Sequence, residues 1–146
     1  MASRDELTAR IADAMRDVIS DAVLTNERIA RGYGINVVDL QTLGVIMREQ
    51  RGLTPGEISQ LTGQPTSTVT RVLDRLENAG FVHRAPDPSD RRRTMIHPDA
   101  ERLLSADDNP YAAVMEGLVR LHAGFSPDEL EVVARYLERM TAAQRA

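Results

Sequence analysis

A run of three arginines is the segment of this sequence with the most specific chemistry. Arg91, Arg92 and Arg93 follow Asp90 at the end of residues 86–90, a Pro-, Asp- and Ser-containing stretch that is typical of a turn. Guanidinium groups that project from a loop can bind phosphate oxygens or enter the minor groove of a DNA duplex. A run of charge is usually only solvated surface, but its position in a predicted hairpin favours contact with nucleic acid.

The residues before this hairpin have the pattern of a helix with one apolar and one polar face. At about 100° per residue, the side that we expect to be buried carries Val69, Val72, Leu73 and Leu76. The opposite side carries Ser67, Arg71, Asp74, Arg75 and Asn78, with Thr68 and Thr70 at its flanks. Hydroxyl groups can reach phosphates or base edges, and an arginine fork can donate two hydrogen bonds to guanine. Arg71 is therefore the first candidate for a base contact, although any one of these residues alone is equally typical of a solvated helix face.

Capping signals predict the elements that position these side chains. Residues 54–57, Thr-Pro-Gly-Glu, form a capping box with Pro at the first helical position, which predicts a short helix over residues 55–61. The next helix begins near Pro65 or Thr66 and ends at Ala79, before Gly80. Residues 81–85 and 91–97 are predicted strands of a hairpin. Two helices joined by a turn and followed by a hairpin make a winged helix-turn-helix, whose second helix enters the major groove.

Longer helices are predicted on both sides of this unit. Residues 5–31 carry apolar side chains at a spacing that puts them on one stripe, and a second helix is predicted over residues 37–49. After Pro98 the sequence is helical again, with a predicted break at residues 107–110. A second capping box at residues 126–129 predicts the start of a last helix, which has an apolar face of its own.

The predicted fold is therefore mainly α with a small β-hairpin. A winged helix-turn-helix lobe over residues 36–97 is flanked by predicted dimerisation helices at residues 1–31 and 99–146, within a single domain over residues 1–146. The apolar stripes of the flanking helices are more than one small lobe can cover, so we expect a second copy of the chain to bury them.

Composition narrows the function further. The 146 residues contain no Cys, which excludes disulfides, thiolate metal sites and cysteine nucleophiles, and the low aromatic content disfavours base stacking. The net charge is −4, but residues 51–97 carry seven Arg and five acids, a net charge of +2. A local basic surface is what matters for DNA, because charge is screened over about 10 Å. No stretch resembles a signal peptide or a membrane span, so we expect a soluble, cytoplasmic protein without a membrane partner.

Residues 53–96 resemble the MarR (multiple antibiotic resistance regulator) family of bacterial transcriptional regulators. The resemblance is carried by Thr54-Pro55-Gly56-Glu57-Ile58, Ser67-Thr68-Val69-Thr70-Arg71, Leu73-Asp74-Arg75-Leu76-Glu77, Gly80-Phe81-Val82-His83-Arg84 and Asp90-Arg91-Arg92. It implies an obligate homodimer, built from the first and last helices, that binds a pseudo-palindromic operator. It also implies that Asp90 orients Arg92 into the minor groove. The sequence departs from the family pattern at Pro65, which leaves open where the recognition helix begins, and at His97-Pro98 after the wing.

These observations predict a sequence-specific DNA-binding regulator, most simply a repressor that a small molecule releases from its operator. The candidate DNA-binding residues are Thr66, Ser67, Thr68, Thr70, Arg71, Arg75, Arg84, Asp90, Arg91, Arg92 and Arg93. The resemblance implies that an effector, if there is one, is a small aromatic or phenolic compound. The residues that can line such a site are Met15, Tyr33, Met47, Tyr111 and His122, but each is more typical of a core or interface, so no ligand site is assigned.

Two other classes of function compete with this interpretation. An enzyme would need convergent polar residues, but His83, His97 and His122 have no spacing that resembles a metal site or a catalytic triad. We therefore expect no enzymatic activity, no cofactor and no metal. A winged-helix module can also serve as an architectural DNA binder or for protein contacts. The arginine-rich wing argues against protein contacts alone, whereas an architectural role without ligand sensing stays open.

Overall fold

The computed structural model describes residues 2–49, 51–99, 101–102 and 111–144. The chain divides into two compact units, Met1–Pro110 and Tyr111–Ala146. The first contains α1 (Arg4–Gly32), α2 (Val37–Arg48), α3 (Pro55–Thr62), α4 (Thr66–Asn78), β1 (Val82–Pro86) and β2 (Thr94–Pro98). The second contains α5 (Ala112–His122) and α6 (Pro127–Gln144). The predicted helix break at residues 107–110 lies outside the described residues.

Side-chain caps fix where most of these helices begin. Ser3, Asn36 and Thr54 cap α1, α2 and α3, and the predicted capping box at α3 is confirmed because Thr54 and Glu57 bond to each other's backbone N–H groups. Ser126 and Glu129 exchange the same pair of bonds before α6. Helix α4 differs, because its cap is Pro65, which makes no side-chain hydrogen bond. The recognition helix therefore begins at Thr66.

The core of the first unit lies among α2, α3, α4 and the hairpin. The predicted buried face of α4 is confirmed, since Val69, Val72, Leu73 and Leu76 are each at most 1% exposed. They pack in one apolar cluster with Leu43, Ile46, Leu53, Ile58, Phe81, Val82 and Ile96. Burying this face directs the polar face of α4 outward, which leaves it accessible to a macromolecular ligand.

The hairpin differs from its prediction at the returning strand. We predicted a strand over residues 91–97, but β2 begins at Thr94, which pairs with Pro86 of β1. The turn is longer because the backbone N–H of Asp87 donates to the carbonyl of Arg93, and that of Arg93 donates to the carbonyl of Asp90, both at 2.9 Å. The three arginines consequently lie in the loop at the tip and not in a strand.

A third segment joins the hairpin, and the sequence analysis did not predict it. Leu53 and Ile96 form an isolated antiparallel bridge, with hydrogen bonds of 3.0 and 2.7 Å in the two directions. The neighbouring Gly52 lies against the ring of His97, where an added Cβ would approach to 2.4 Å. The base of the hairpin is therefore tied to the residue that precedes the cap of α3.

The outer helices of both units expose large apolar side chains. On α1 these are Leu7, Ile11, Val18, Ile19, Val23 and Leu24, each between 44% and 65% exposed. On α6 they are Val132, Val133, Tyr136 and Leu137, between 44% and 55% exposed. Each helix thus carries an apolar face that its own unit does not cover. Among the described residues, no helix is both long enough and apolar enough to cross a lipid bilayer.

Candidate nucleic-acid interface

The outward face of α4 presents hydroxyl groups and the guanidinium of Arg71. Thr66, Ser67, Thr70 and Arg71 are exposed, and Thr68 is partly exposed. The hydroxyl of Thr70 donates to the carbonyl of Thr66 at 3.0 Å. Within the described residues, no carboxylate lies within ion-pair distance of Arg71. This guanidinium can therefore bind a phosphate or a base without first losing a protein partner.

Arg75, one turn further along α4, forms an ion pair with a carboxylate of the same lobe. Its Nε donates to Oδ2 of Asp39 at 2.9 Å, and its Nη2 donates to Oδ1 at 2.6 Å. Asp39 lies on α2 and its side chain is only 1% exposed. The hydrogen bonds to Asp39 raise the pKa of Arg75 above its ordinary value, against a smaller opposing effect of burial. The charge of Arg75 is thus paired with a buried carboxylate, while 47% of its own side chain stays exposed.

Arg84 of β1 is also held by carboxylates of the lobe. Its Nη2 donates to Oδ1 of Asp74 at 2.7 Å, and its Nη1 donates to a carboxylate oxygen of Glu77. Partial burial lowers the pKa of Arg84, but the hydrogen bond to Asp74 and the charges of both acids outweigh it, so the pKa lies above its ordinary value. Arg84 therefore connects the wing to α4.

The tip of the wing carries three exposed arginines. The side chain of Arg92 is 92% exposed, and Oδ1 of Asp90 accepts a hydrogen bond from its backbone N–H and another from its Nε. Arg93 lies 3.8 Å from Asp87, and Arg91 is exposed. Hydrogen bonds from the hydroxyl and the N–H of Ser89 lower the pKa of Asp87 below its ordinary value, which favours the charged carboxylate in this turn.

The structure thus separates the predicted DNA-binding residues into two groups. Arg71 and Arg91 are exposed and have no ion-pair partner among the described residues. Arg75, Arg84, Arg92 and Arg93 each pair with an acid of the same lobe, and the exposed fraction of their side chains ranges from 31% for Arg84 to 92% for Arg92. Which of them contact DNA stays a prediction. The sequence analysis did not identify Asp39 as the partner of Arg75. Its spacing in α2 could have indicated that it is buried, because Asp39 lies on the same stripe as Thr42, Leu43 and Ile46.

A capped helix, a turn, a helix with a polar outward face and an arginine-tipped hairpin define a winged helix-turn-helix DNA-binding protein. Comparison with known proteins identifies the family. The sequence pattern of the MarR family matches residues 33–93. The chain is also 32% identical over 135 residues to an uncharacterized HTH-type transcriptional regulator, YcgE, of Bacillus subtilis (strain 168), covering 92% of this chain and 86% of that protein. The chain belongs to the MarR family of DNA-binding transcription regulators, which are not enzymes.

Solved structures share the fold at lower sequence identity. A mutant of MepR from a multidrug-resistant S. aureus clinical isolate is 21% identical, with a TM-score of 0.73 and coverage of 92% of this chain and 96% of that one. Streptococcus pneumoniae FabT, solved in complex with DNA, is 22% identical, with a TM-score of 0.69 and coverage of 94% and 97%. These similarities establish the winged-helix fold predicted from the sequence.

Proposed function

We propose that this regulator binds a pseudo-palindromic operator as a homodimer and represses transcription from it, in the cytoplasm, where bacterial DNA lies. The observation that carries the proposal is the wing tip, where Asp90 accepts hydrogen bonds from the backbone N–H and the Nε of Arg92 while the side chain of Arg92 stays exposed. A cation held in this way fits a minor groove, while the polar face of α4 fits the adjacent major groove. The proposed DNA contacts are Thr66, Ser67, Thr68, Thr70, Arg71, Arg91, Arg92 and Arg93.

The homodimer is supported by the uncovered apolar faces of the outer helices. Leu7 and Ile11 on α1, and Val133 and Leu137 on α6, are 44% to 45% exposed and lie four residues apart within each pair. Such faces on a regulator indicate a protein interface, and a second copy of the chain provides the matching one. We therefore assign dimerisation to helices within residues 1–31 and 99–146, and DNA binding to residues 36–97.

We also propose that a small molecule releases the protein from its operator. The MarR resemblance favours an aromatic or phenolic effector. A shallow cavity of about 470 Å³ lies beside the recognition helix and is lined by Gly34, Ile35, Asn36, Asp39, Arg75, Asn78 and Ala79. We propose that release by an effector be tested directly, by titrating simple phenols and aromatic acids against the preformed complex with DNA.

Selection of binding sites from random duplex DNA tests the central proposal. The full-length protein is expected to enrich a single motif with two inverted half-sites, and sedimentation should show two subunits on each duplex. Enrichment of no preferred sequence, with binding to every duplex, would support the architectural alternative. In a reporter strain, repression predicts that deleting the gene raises transcription from the selected site.

A further inference from the structure

We propose that Asp39 and Arg75 form a clamp that sets the rotation of the recognition helix α4, so that Arg75 acts as a positioning residue and makes no contact with DNA. This inference rests on the proposed operator binding and gives a different role to one of its candidate residues. It also brings in Asp39, a residue of α2 that lies outside every predicted contact. The clamp is supported by burial, by bond geometry and by the spacing along α4.

Burial of Asp39 is the first reason. Its side chain is 1% exposed, and both carboxylate oxygens accept hydrogen bonds from Arg75. If Arg75 turned away to bind a phosphate, a buried carboxylate would lose its only ion-pair partner among the described residues. An unpaired buried charge is far more costly than an exposed ion pair is favourable. Arg75 is therefore held in place by Asp39 even when DNA is near.

The geometry of the pair is the second reason. Two nitrogens of one guanidinium bond to two oxygens of one carboxylate, which fixes the relative orientation of the groups as well as their distance. Val72 and Leu76 already fix which face of α4 meets the core, and the ion pair adds a contact that, unlike apolar burial, depends on direction. The clamp is a directional contact between α2 and α4.

The spacing of Arg71 and Arg75 makes this orientation matter for DNA. Residues four apart lie on the same face of a helix, one turn from each other. A rotation of α4 that moves Arg75 away from Asp39 must also move Arg71, which is exposed and unpaired among the described residues. Asp39 thus sets the direction in which the candidate base contact points.

Two single variants together separate the two interpretations, because the result expected for Asp39→Asn differs between them. If Arg75 binds a phosphate, Asp39→Asn frees it and leaves affinity for the selected operator unchanged or higher, whereas Arg75→Ala weakens binding. If the pair is a clamp, both variants weaken binding by about tenfold, and their double variant is no weaker than either single one. Asp39→Asn keeps the size of the side chain and the backbone N–H that bonds to Asn36. The folded fraction of each variant is measured first by thermal unfolding.

Replacing Arg75 with Lys separates the effect of its positive charge from the effect of its two-bond geometry. Lys keeps the positive charge but cannot form the two-bond fork. The clamp predicts that Arg75→Lys binds as weakly as Arg75→Ala, and that neither variant changes the slope of log affinity against log salt. Recovery by Lys, or a slope flatter by about one unit per subunit for Arg75→Ala, would overturn the assignment. Arg48→Ala, which removes an exposed charge at the far end of α2, is the control and is expected to bind within about twofold of the wild type.

Hydrogen exchange measures the effect of the clamp in the absence of DNA. It therefore distinguishes failure of the clamp from failure of the proposed operator binding. In the free full-length protein, Asp39→Asn is expected to accelerate amide exchange in α4 by about tenfold more than in α3. Equal exchange in the two helices would show that the pair does not hold α4 and would overturn the inference. If the wild type selects no operator, the proposed function fails, and the exchange measurement still decides whether the clamp exists.

Discussion

Asp90 holds Arg92 at two points, because its Oδ1 accepts from the backbone N–H of Arg92 at 3.1 Å and from its Nε at 3.3 Å. The carboxylate is 38% exposed and the arginine side chain is 92% exposed. One edge of the guanidinium, at Nε, is therefore anchored to its own turn while the side chain as a whole stays in solvent. An exposed ion pair contributes little to the free energy of unfolding, so the role of this pair is to orient the side chain of Arg92.

Removing either member of this pair should weaken operator binding for different reasons. Arg92→Ala removes a cation from the groove, so affinity falls and the slope of log affinity against log salt becomes shallower by about one unit per subunit. Asp90→Ala frees the cation without removing it, so affinity falls less and the slope hardly changes. Salt titrations on a long duplex measure both effects. If Arg92→Ala changes neither quantity, the wing does not touch DNA.

Arg71 should determine part of the sequence specificity. If it donates both bonds to one guanine, Arg71→Ala weakens binding to the operator by about 1–3 kcal/mol and relaxes the preference at one position in each half-site. Binding of the variant to a panel of single-base operator substitutions measures this. A loss that is the same for every sequence would mean that Arg71 binds a phosphate.

The apolar face of α6 should be required for assembly. Replacing Val133 and Leu137 with Ser removes two exposed apolar side chains from one face and should shift sedimentation from a dimer to a monomer. The matched control replaces Glu131 and Glu138 with Ser, because these residues lie on the other side of the same helix. If the first variant remains a dimer at micromolar concentration, this face of α6 is not the interface.

The capping box of α3 should make stability depend on pH. Hydrogen bonds from the backbone and hydroxyl of Thr54 lower the pKa of Glu57 below its ordinary value of 4.5. Its stabilising contribution is therefore complete above that value and is lost as pH falls through the lower folded pKa. In urea unfolding, the difference between the wild type and Glu57→Gln should shrink below pH 4.5. Glu27→Gln, at an exposed position on α1, is the control, and a difference independent of pH would contradict this account.

The link from Arg84 to α4 should be visible as stability of the lobe. Arg84→Ala leaves Asp74 and Glu77 without their shared partner, but both carboxylates stay accessible to water, so the free energy of unfolding should fall by about 1 kcal/mol. Measurement at pH 7 by urea unfolding tests this. We also predicted Arg84 as a DNA contact, and a flatter salt slope without any loss of stability would favour that role over the structural one.

Local signals explain which parts of the structure were predictable from sequence. The capping box at Thr54 and the apolar face of α4 depend on residues within one or two turns, and both predictions are confirmed. Asp39 and Arg75 are 36 residues apart, and no local pattern pairs them. The same holds for the bridge from Leu53 to Ile96.

The start of the returning strand β2 was not predictable from sequence for a different reason. Its first residues, Arg91–Arg93, were predicted as strand because they directly follow the predicted turn at residues 86–90. Backbone hydrogen bonds across the turn, between Arg93 and both Asp87 and Asp90, hold them in the loop instead. Such bonds depend on the exact path of the chain, which residue types alone do not specify.

The bridge between Leu53 and Ile96 holds the base of the wing to the core but does not hold its tip. Both residues are 0% exposed, so tilting the base would break two backbone hydrogen bonds inside the core. The tip at residues 87–93 lies beyond the ladder, which ends at Pro86 and Thr94. If the wing enters a groove, adjustment to the width of the groove should therefore fall on these seven residues. A change in loop length there should leave the lobe folded but move Arg92, whereas a side chain added at Gly52 would displace His97 at the base of the hairpin.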